Sequence, residues 1–334
     1  MMFDDILSSL DDSELNLIIM PTEQCNFRCT YCYEDFEFGS MSYEISTYIM
    51  KLIDNSAPRL NRLTISWFGG EPLLAMRTVI NIGQHAVERT KAYGIEYKGH
   101  MTTNGYYLTV DNLERLCAIG ITDYQITLDG FGSDHDKTRK KVMGGGTFNN
   151  IWNNLLSAKE TDLEFNIMIR IHFTPKSIKN TLALIAEIKN NFIDDVRFTF
   201  FFHMIERLGG KNDQDIELFD NQNDMELFHK ELNVFLNSPD KLISLNNDYI
   251  CYAAKLNSFV IRSNGQIAKC TVALNSEVNN IGILKSDGRM DLNKEKLMAW
   301  GGALFNSEVS IRACPTEYAH RSFKIKNTIQ VINK

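Results

Sequence analysis

The sequence predicts an α/β chain: an open, partial barrel of six β/α units followed by a small α+β domain. Three observations carry that reading. Six short apolar runs rich in β-branched residues alternate with longer segments whose apolar residues recur at helical spacing. The alternation stops after Phe202. A shorter pattern follows, with Asn264-Gly265 set between two apolar runs. Strands separated by helices argue for a largely parallel sheet with helical crossovers. Six strands fall short of the eight of a closed β/α barrel.

Taken in order, residues 1–13 form an N-terminal extension, and Leu15–Met20 reads as a buried strand ended by Pro21. A cysteine-rich loop, Cys25 to Cys32, leads to a helical pattern from Ser42 to about Asp54. Leu63–Trp67 is strand and Leu74–Tyr93 helix; Gly99–Thr103 is strand and Val110–Ile119 helix, stopped by Gly120. Asp123–Leu128 is strand and Thr147–Ala158 helix, with Thr147 as its cap. Glu164–His172 is strand, Lys176–Ile188 helix and Asp195–Phe200 strand. Residues 14–202 thus make a core, 203–239 a bridge and 240–334 a second domain. Within the bridge, Met225, Phe228, Leu232 and Phe235 share one face of an amphipathic helix over Asp224–Asn237. In the second domain Ser258–Arg262 and Gln266–Cys270 form a hairpin about the Asn-Gly turn. Asn293–Trp300 is a short helix, and the tail Ser322–Val331 reads as strand.

Composition narrows the function. The 334 residues carry 35 Lys+Arg against 42 Asp+Glu, a formal net charge of −7, so no nucleic-acid partner is expected. No apolar run approaches the roughly 20 residues that span a bilayer, and the acidic start is unlike a signal peptide. The expectation is a cytoplasmic protein without a membrane, whose seven cysteines serve as metal ligands or core residues.

Cys25, Cys29 and Cys32 are spaced Cys-x3-Cys-x2-Cys in TEQCNFRCTYCYEDF. The loop lies just past the first strand's carboxyl end, where α/β folds place their chemistry. Thiolates select zinc, copper(I) or iron–sulfur. Three ligands on a four-iron cubane leave one iron for an outside ligand, and three on zinc likewise leave an open position.

This motif, with an aromatic before its last cysteine, resembles that of the radical S-adenosylmethionine (SAM) superfamily. Trp67-Phe68-Gly69-Gly70-Glu71-Pro72 after the second strand and Thr103-Asn104-Gly105 after the third continue the match. So do Thr127-Leu128-Asp129-Gly130, His135-Asp136, Arg139 and Gly146-Thr147-Phe148, which resemble the peptide- and protein-maturing branch with SPASM or shortened twitch domains. The resemblance implies a radical SAM barrel whose Cys25, Cys29 and Cys32 hold a [4Fe-4S] cluster with an open iron for SAM. It implies reductive cleavage of SAM to a 5′-deoxyadenosyl radical that abstracts a substrate hydrogen. Gly69 and Gly70 would let backbone carbonyls approach the cofactor's amino end, and Glu71 would accept from its ammonium or simply close a strand-to-helix turn. Tyr31 takes the place of the adenine-side aromatic, with simple packing as its alternative. Asn104 either fixes the loop or touches the ribose. Thr127 would serve ribose or carboxylate, and Asp129 would cap a turn. Arg139 would pair a carboxylate or organise the His135-Asp136 loop, and Arg170 is a further carboxylate candidate. No Gly-x-Ile-x-Gly-x-x-Glu pattern stands near the fifth strand, so the family's adenosine pocket does not map residue by residue onto this sequence.

Cys251-x13-Gly265-x4-Cys270, followed by Asn280-Ile281-Gly282, resembles the opening of a SPASM domain, and Cys314-Pro315 returns a third thiolate. The full seven-cysteine pattern is missing, so the resemblance implies a twitch-like domain with one auxiliary [4Fe-4S] cluster, or else zinc or a degenerate shell. Its fourth ligand would be Cys117, His320, another protein atom, water or substrate; Cys117, on an apparent helix, also reads as a packed hydrophobe. His100 and His172 read as core or loop residues. His203, Glu206 and Arg207 would face a peptide or form a salt network. Glu34, Asp35 and Glu37 would meet a cationic substrate or form a solvated rim.

The resemblance implies a maturase that installs a carbon–carbon, ether or thioether crosslink in a ribosomal peptide, with a flavodoxin or ferredoxin as reducing partner. Any leader sequence would bind the bridge, the C-terminal domain or a partner, because no room for a separate leader-binding domain precedes the first strand. The alternatives are a radical SAM dehydrogenase or epimerase acting on a small molecule or peptide residue, and a non-catalytic iron–sulfur regulatory or binding protein. A sulfatase-maturing role is disfavoured by the missing two-cluster domain.

Overall fold

The structure, a computed structural model, describes residues 2–219, 223, 226–228, 230, 232, 234, 237–243 and 249–332. Strands β1 (Glu14–Ile19), β2 (Arg62–Trp67), β3 (Glu96–Thr103), β4 (Ile121–Leu128), β5 (Asn166–Phe173) and β6 (Phe198–Met204) make the six-fold alternation. Helix α1 (Met2–Leu10) precedes them; α2 (Tyr43–Ser56), α3 (Met76–Tyr93), α4 (Val110–Cys117), α5 (Ser133–Thr138), α6 (Phe148–Lys159) and α7 (Ile178–Asn191) lie between them. Strands β7 (Ser258–Ile261), β8 (Gln266–Ala268), β9 (Asn280–Leu284) and β10 (Met290–Leu292) follow, with helices α8 (Lys294–Gly301), α9 (Val309–Ala313) and α10 (Thr316–Ile332). This is the predicted α/β class: a partial β/α barrel with an auxiliary strand and helix region.

The chain forms two compact units that cut across its linear order. One comprises Met1–Gln24, Glu37–Gly99 and Leu245–Lys334; the other comprises Cys25–Phe36 and His100–Ser244. In the first, β1 pairs in parallel with β2 (Leu15 beside Leu63, Ile19 beside Trp67) and, on its other edge, with β7 (Asn16 beside Ser258). Strands β8, β9 and β10 extend that edge antiparallel. The Asn264-Gly265 turn makes the predicted hairpin, Gly265 supplying φ +84°. Ser42 caps α2, its hydroxyl accepting from Ile45 N at 3.3 Å. The 1–13 segment is more than an extension, since Ile6 of α1 packs on the buried cluster of Ile250, Ala254, Ala303 and Leu304.

In the second unit β4, β5 and β6 are parallel, with Thr127 beside Arg170 and His172 beside His203. The period of two separates their faces. Ile167, Ile169, Ile171 and Phe173 are buried on one face of β5, covered by an aromatic core including Trp152 and Phe192, whose rings meet at 5.1 Å. The opposite face presents Met168, Arg170 and His172.

Four expectations change. The tail read as a strand lies in α10. Strand β6 begins at Phe198 because Asp195 and Arg197 pair in the preceding turn, with Nη2 to Oδ2 at 2.7 Å. Thr147 stands at the N-cap of α6, but its hydroxyl does not cap; Asp136 does, its Oδ1 accepting from Thr147 N at 2.7 Å and Phe148 N at 2.9 Å. Asp136 sits on α5, a short helix absent from the sequence reading. Of the helix expected over 224–237, residues 226–228, 230, 232 and 234 are described and helical, with Phe228 and Leu232 buried, whereas Met225 and Phe235 lie outside the described residues.

Candidate active site

In the second unit the cysteine loop is pinned from both sides. Arg28 N donates to Lys140 O at 2.8 Å and Thr30 N to Thr138 O at 2.9 Å. Asn212 Nδ2 donates to Thr30 O at 3.0 Å. A Cβ on Gly210 would come 2.6 Å from Cys32 O, so only glycine admits that approach. Within the loop Phe27 N points at Cys25 Sγ (3.3 Å), and Asn104 Nδ2 lies 2.8 Å from Asn26 Oδ1 and 3.9 Å from Cys25 Sγ. Asn104 Oδ1 also accepts from Tyr106 N at 2.9 Å. Asn104 thus ties the cysteine loop to the turn after β3.

Around Tyr31 the structure gathers a buried polar network. The phenol donates to Asp129 Oδ1 (2.9 Å) and accepts from Arg139 Nη1 (2.8 Å). His172 Nδ1 lies 3.2 Å from the phenol and 3.4 Å from Asp129 Oδ1. Simple packing is thus not all that Tyr31 does. Asp129 also accepts from Thr138 Oγ1 at 2.6 Å, and its backbone N–H donates to His135 Nδ1 at 3.3 Å. That donor leaves His135 its proton on Nε2, 3.1 Å from Thr147 Oγ1, which in turn donates to Arg139 O at 2.7 Å. Arg139 thus faces the cysteine loop and is tied to the His135-Asp136 segment as well.

Charges in this network are coupled. Burial works to raise Asp129, but its bond with His172 and the Arg139 charge override it and hold the carboxyl well below the usual range. Burial works against the charge of Arg139, and Tyr31, Cys29 and Asp129 keep it well above its ordinary value. Burial brings both His172 and His135 down to about 4, so each is neutral at pH 7. His172 is therefore hydrogen-bonded to Asp129 rather than ion-paired with it. Burial raises the Cys29 thiol and pushes Cys32 up to about 12, so metal binding there must displace protons. Thr127 is buried on β4, and Arg170 stands beside it on β5.

The first unit holds the glycine turn. Gly69 has φ +106°, and a Cβ there would meet Thr22 O at 2.3 Å; one on Gly70 would meet Gln24 O at 2.4 Å. Backbone therefore lies on backbone, and Glu71 N donates to Gln24 O at 3.0 Å. The buried Glu71 carboxylate accepts from Leu73 N at 3.0 Å, capping the turn that Pro72 opens. The turn reading of Glu71 is thus realised.

The same unit places Cys251, Cys270 and Cys314 where their charges act on one another. Cys251 N donates to Arg312 O at 2.9 Å, two residues before Cys314. Cys270 Sγ accepts from Val272 N at 3.3 Å. His320 Nε2 lies 2.8 Å from Ser276 Oγ. Cys117 belongs to the other unit, its thiol against Tyr124 Oη (3.9 Å) and Glu164 O (3.7 Å), as a packed cysteine would be.

Sequence reasoning missed a buried ion pair. Arg262 Nε and Nη2 donate to Glu23 Oε1 (3.0 Å) and Oε2 (2.6 Å), with side chains 5% and 2% exposed. Arg262 also donates to Leu274 O (3.2 Å), and its guanidinium lies 4.6 Å from the Phe38 ring centroid. Each partner alone looks like a surface charge, and no local pattern links positions so far apart. A cavity of about 700 Å³ at the amino ends of β4 and β5, lined by Lys159, Glu164 and Arg197 among others, contains none of the predicted site residues.

The donor chemistry is that of an iron–sulfur site, three soft thiols on a pinned loop, although among the described residues no three His, Cys, Asp or Glu side chains stand gathered as a metal-holding group. The radical SAM superfamily profile matches residues 19–185, and the chain belongs to that superfamily. It carries the radical SAM catalytic domain, which implies a [4Fe-4S] and SAM site. The chain is 28% identical to the cysteine-type anaerobic sulfatase-maturating enzyme of Clostridium novyi (strain NT), over 77% of this chain and 73% of that one. It is 28% identical to the GTP 3',8-cyclase of Campylobacter fetus subsp. fetus (strain 82-40), over 70% of each. Among solved structures, native anSMEcpe with bound AdoMet and Cp18Cys peptide superposes with a TM-score of 0.66 at 18% identity, covering 96% of this chain and 98% of that one. Streptococcus suis SuiB bound to precursor peptide SuiA gives 0.59 at 15% identity, covering 92% and 69%. The shared fold is a radical SAM domain with a SPASM-type extension. No helix among the described residues is long and apolar enough to cross a membrane.

Proposed function

We propose that this protein is a radical SAM maturase of a ribosomal peptide, with residues 14–202 as its core, 203–239 as a bridge and 240–334 as its twitch-like module. The carrying observation is the presence of two cysteine sets on one chain: Cys25, Cys29 and Cys32 on the pinned loop of one unit, and Cys251, Cys270 and Cys314 in the other. The relationship to the Clostridium novyi enzyme, by its name a maturating one, extends over 77% of the chain and supports the maturase reading.

Cys25, Cys29 and Cys32 would hold the cluster that, with SAM, supplies a radical able to take hydrogen from carbon. Gly69 and Gly70 let the turn lie close on the backbone of Thr22 and Gln24, and the carbonyls of that turn would serve the cofactor's amino end, while Glu71 keeps it in shape. Asn104 holds the loop carrying Cys25. Tyr31, Thr127 and Arg139 are the side chains offered to the rest of SAM, Tyr31 and Arg139 already locked together by their 2.8 Å bond. Cys251, Cys270 and Cys314 would hold one auxiliary [4Fe-4S] cluster, His320 being the candidate fourth ligand in the same unit. A flavodoxin or ferredoxin would deliver the electron, and the setting would be cytoplasmic.

Crosslinking is the first reading. Dehydrogenation of a single peptide residue is the second. Anaerobic reconstitution with SAM and a genomically adjacent, side-chain-deuterated peptide tests both. Deuterium should appear in 5′-deoxyadenosine, and the product should be two hydrogens lighter; fragmentation then separates a crosslink from a single oxidised residue. Absence of label from 5′-deoxyadenosine across candidate peptides would refute the proposal. Iron and sulfide counts on wild type and on a Cys251→Ala/Cys270→Ala variant test the auxiliary cluster.

A further inference from the structure

The polar face of β4–β6 carries a guanidinium with no assigned task. Arg170 is mostly withdrawn from solvent and makes no hydrogen bond or ion pair among the described residues; its Nε is buried without a partner. Its strongest electrostatic neighbours are Tyr31, Tyr33, Glu206 and Arg139. Glu206, the carboxylate among them, faces His203 at 3.6 Å and is half exposed. A cation withdrawn from water with only a half-exposed carboxylate in its neighbourhood and no direct ion pair is costly, and such groups persist where a ligand completes them.

Two residues further along the same strand face, His172 has a matching loose end. Its Nδ1 is turned to Asp129 and Tyr31, and its Nε2 is buried with no partner. The Tyr31 proton is already given to Asp129, so Nδ1 carries the imidazole proton and Nε2 presents a lone pair. Beside Arg170, on β4, the buried Thr127 adds a hydroxyl. One face thus offers a cationic fork, a hydroxyl and an acceptor nitrogen.

We infer that Arg170 and His172 form a subsite for an acidic segment of the peptide substrate, Arg170 pairing a carboxylate and His172 Nε2 accepting an N–H or O–H next to it. This deepens the maturase reading and rests on it. It also separates Arg170 from the cofactor's own carboxylate. Arg139 is the arginine acted on by Cys29 and bonded to Tyr31. Arg170 is free to read a second anion.

The test uses the anaerobically reconstituted, SAM-saturated protein, with N-acetyl-L-glutamate and N-acetyl-L-glutamine as paired probes in ligand-observed NMR. Wild type should bind the glutamate probe at least tenfold more tightly than the glutamine probe. R170Q should abolish that preference while SAM affinity, measured by equilibrium dialysis, stays within about twofold. R170K should keep part of the preference, because an ammonium holds the charge and loses the fork; it also serves if R170Q folds poorly. If SAM expels the probe and R170Q weakens SAM about tenfold, the carboxylate at Arg170 is SAM's own and the inference is wrong. Equal binding of the two probes to wild type overturns it as well. Wild type that takes up no SAM would instead sink the parent reading, and this subsite with it.

Discussion

Replacing Arg262 with methionine should show how strongly the first unit depends on its buried ion pair. The change removes both bonds to Glu23, the bond to Leu274 O and the ring contact with Phe38. It leaves the Glu23 carboxylate, 2% exposed, without its bidentate partner. Breaking one side of a buried pair costs about 3–5 kcal/mol. At roughly 2–4 °C per kcal/mol for chains of this general size, the midpoint should fall by about 10 °C. Removing both charges together, Glu23→Leu with Arg262→Met, leaves no orphan and should recover most of that loss. Thermal melts of the wild type, the two single variants and the double variant close a thermodynamic cycle. Additive single effects, or a shift below about 2 °C for Arg262→Met, would show that the pair does not act as argued.

Further predictions follow from other contacts. Gly70→Ala places a Cβ 2.4 Å from Gln24 O; the turn must open, and SAM affinity should fall at least tenfold in equilibrium dialysis while iron content at Cys25, Cys29 and Cys32 is retained. Asp136→Ala removes the acceptor for the first N–H groups of α6 and should cost about 1–2 kcal/mol in denaturant titration. His135, brought down to about 4 by burial, binds fewer protons folded than unfolded between there and about pH 6.5. Its contribution is therefore full above pH 6.5 and is lost as pH falls toward 4. A His135→Gln variant should melt with a flatter pH profile in that window; an unchanged slope would contradict the assignment.

Much of the fold was legible because its causes are local. Apolar spacing marked six strands, and Asn264-Gly265 announced a hairpin through short-range chemistry. The cysteine spacings and the Gly69-Gly70 turn were visible for the same reason. What escaped depends on tertiary neighbours. The cap of α6 is Asp136, eleven positions from Thr147, so the residue in the expected place has the wrong job. His172 looked like a strand histidine until Asp129 and Tyr31 were set beside it. Glu23 and Arg262 find each other only once β7 has joined β1. The tail was misread because β-branched residues in Ser322–Val331 suggested strand, whereas the surrounding chain carries it as helix.

The pairing of β1 with β7 also has a consequence for biosynthesis. Strand β1 ends at Ile19, but one of its two neighbours, β7, is translated only when the chain reaches Ser258. At 5–20 residues per second that edge stays unmatched for roughly tens of seconds. A nascent chain with an open, apolar strand edge is a template for wrong partners. Newborn protein should therefore depend on chaperones until translation reaches Ser258, and messages truncated before that point should yield aggregates rather than a smaller enzyme.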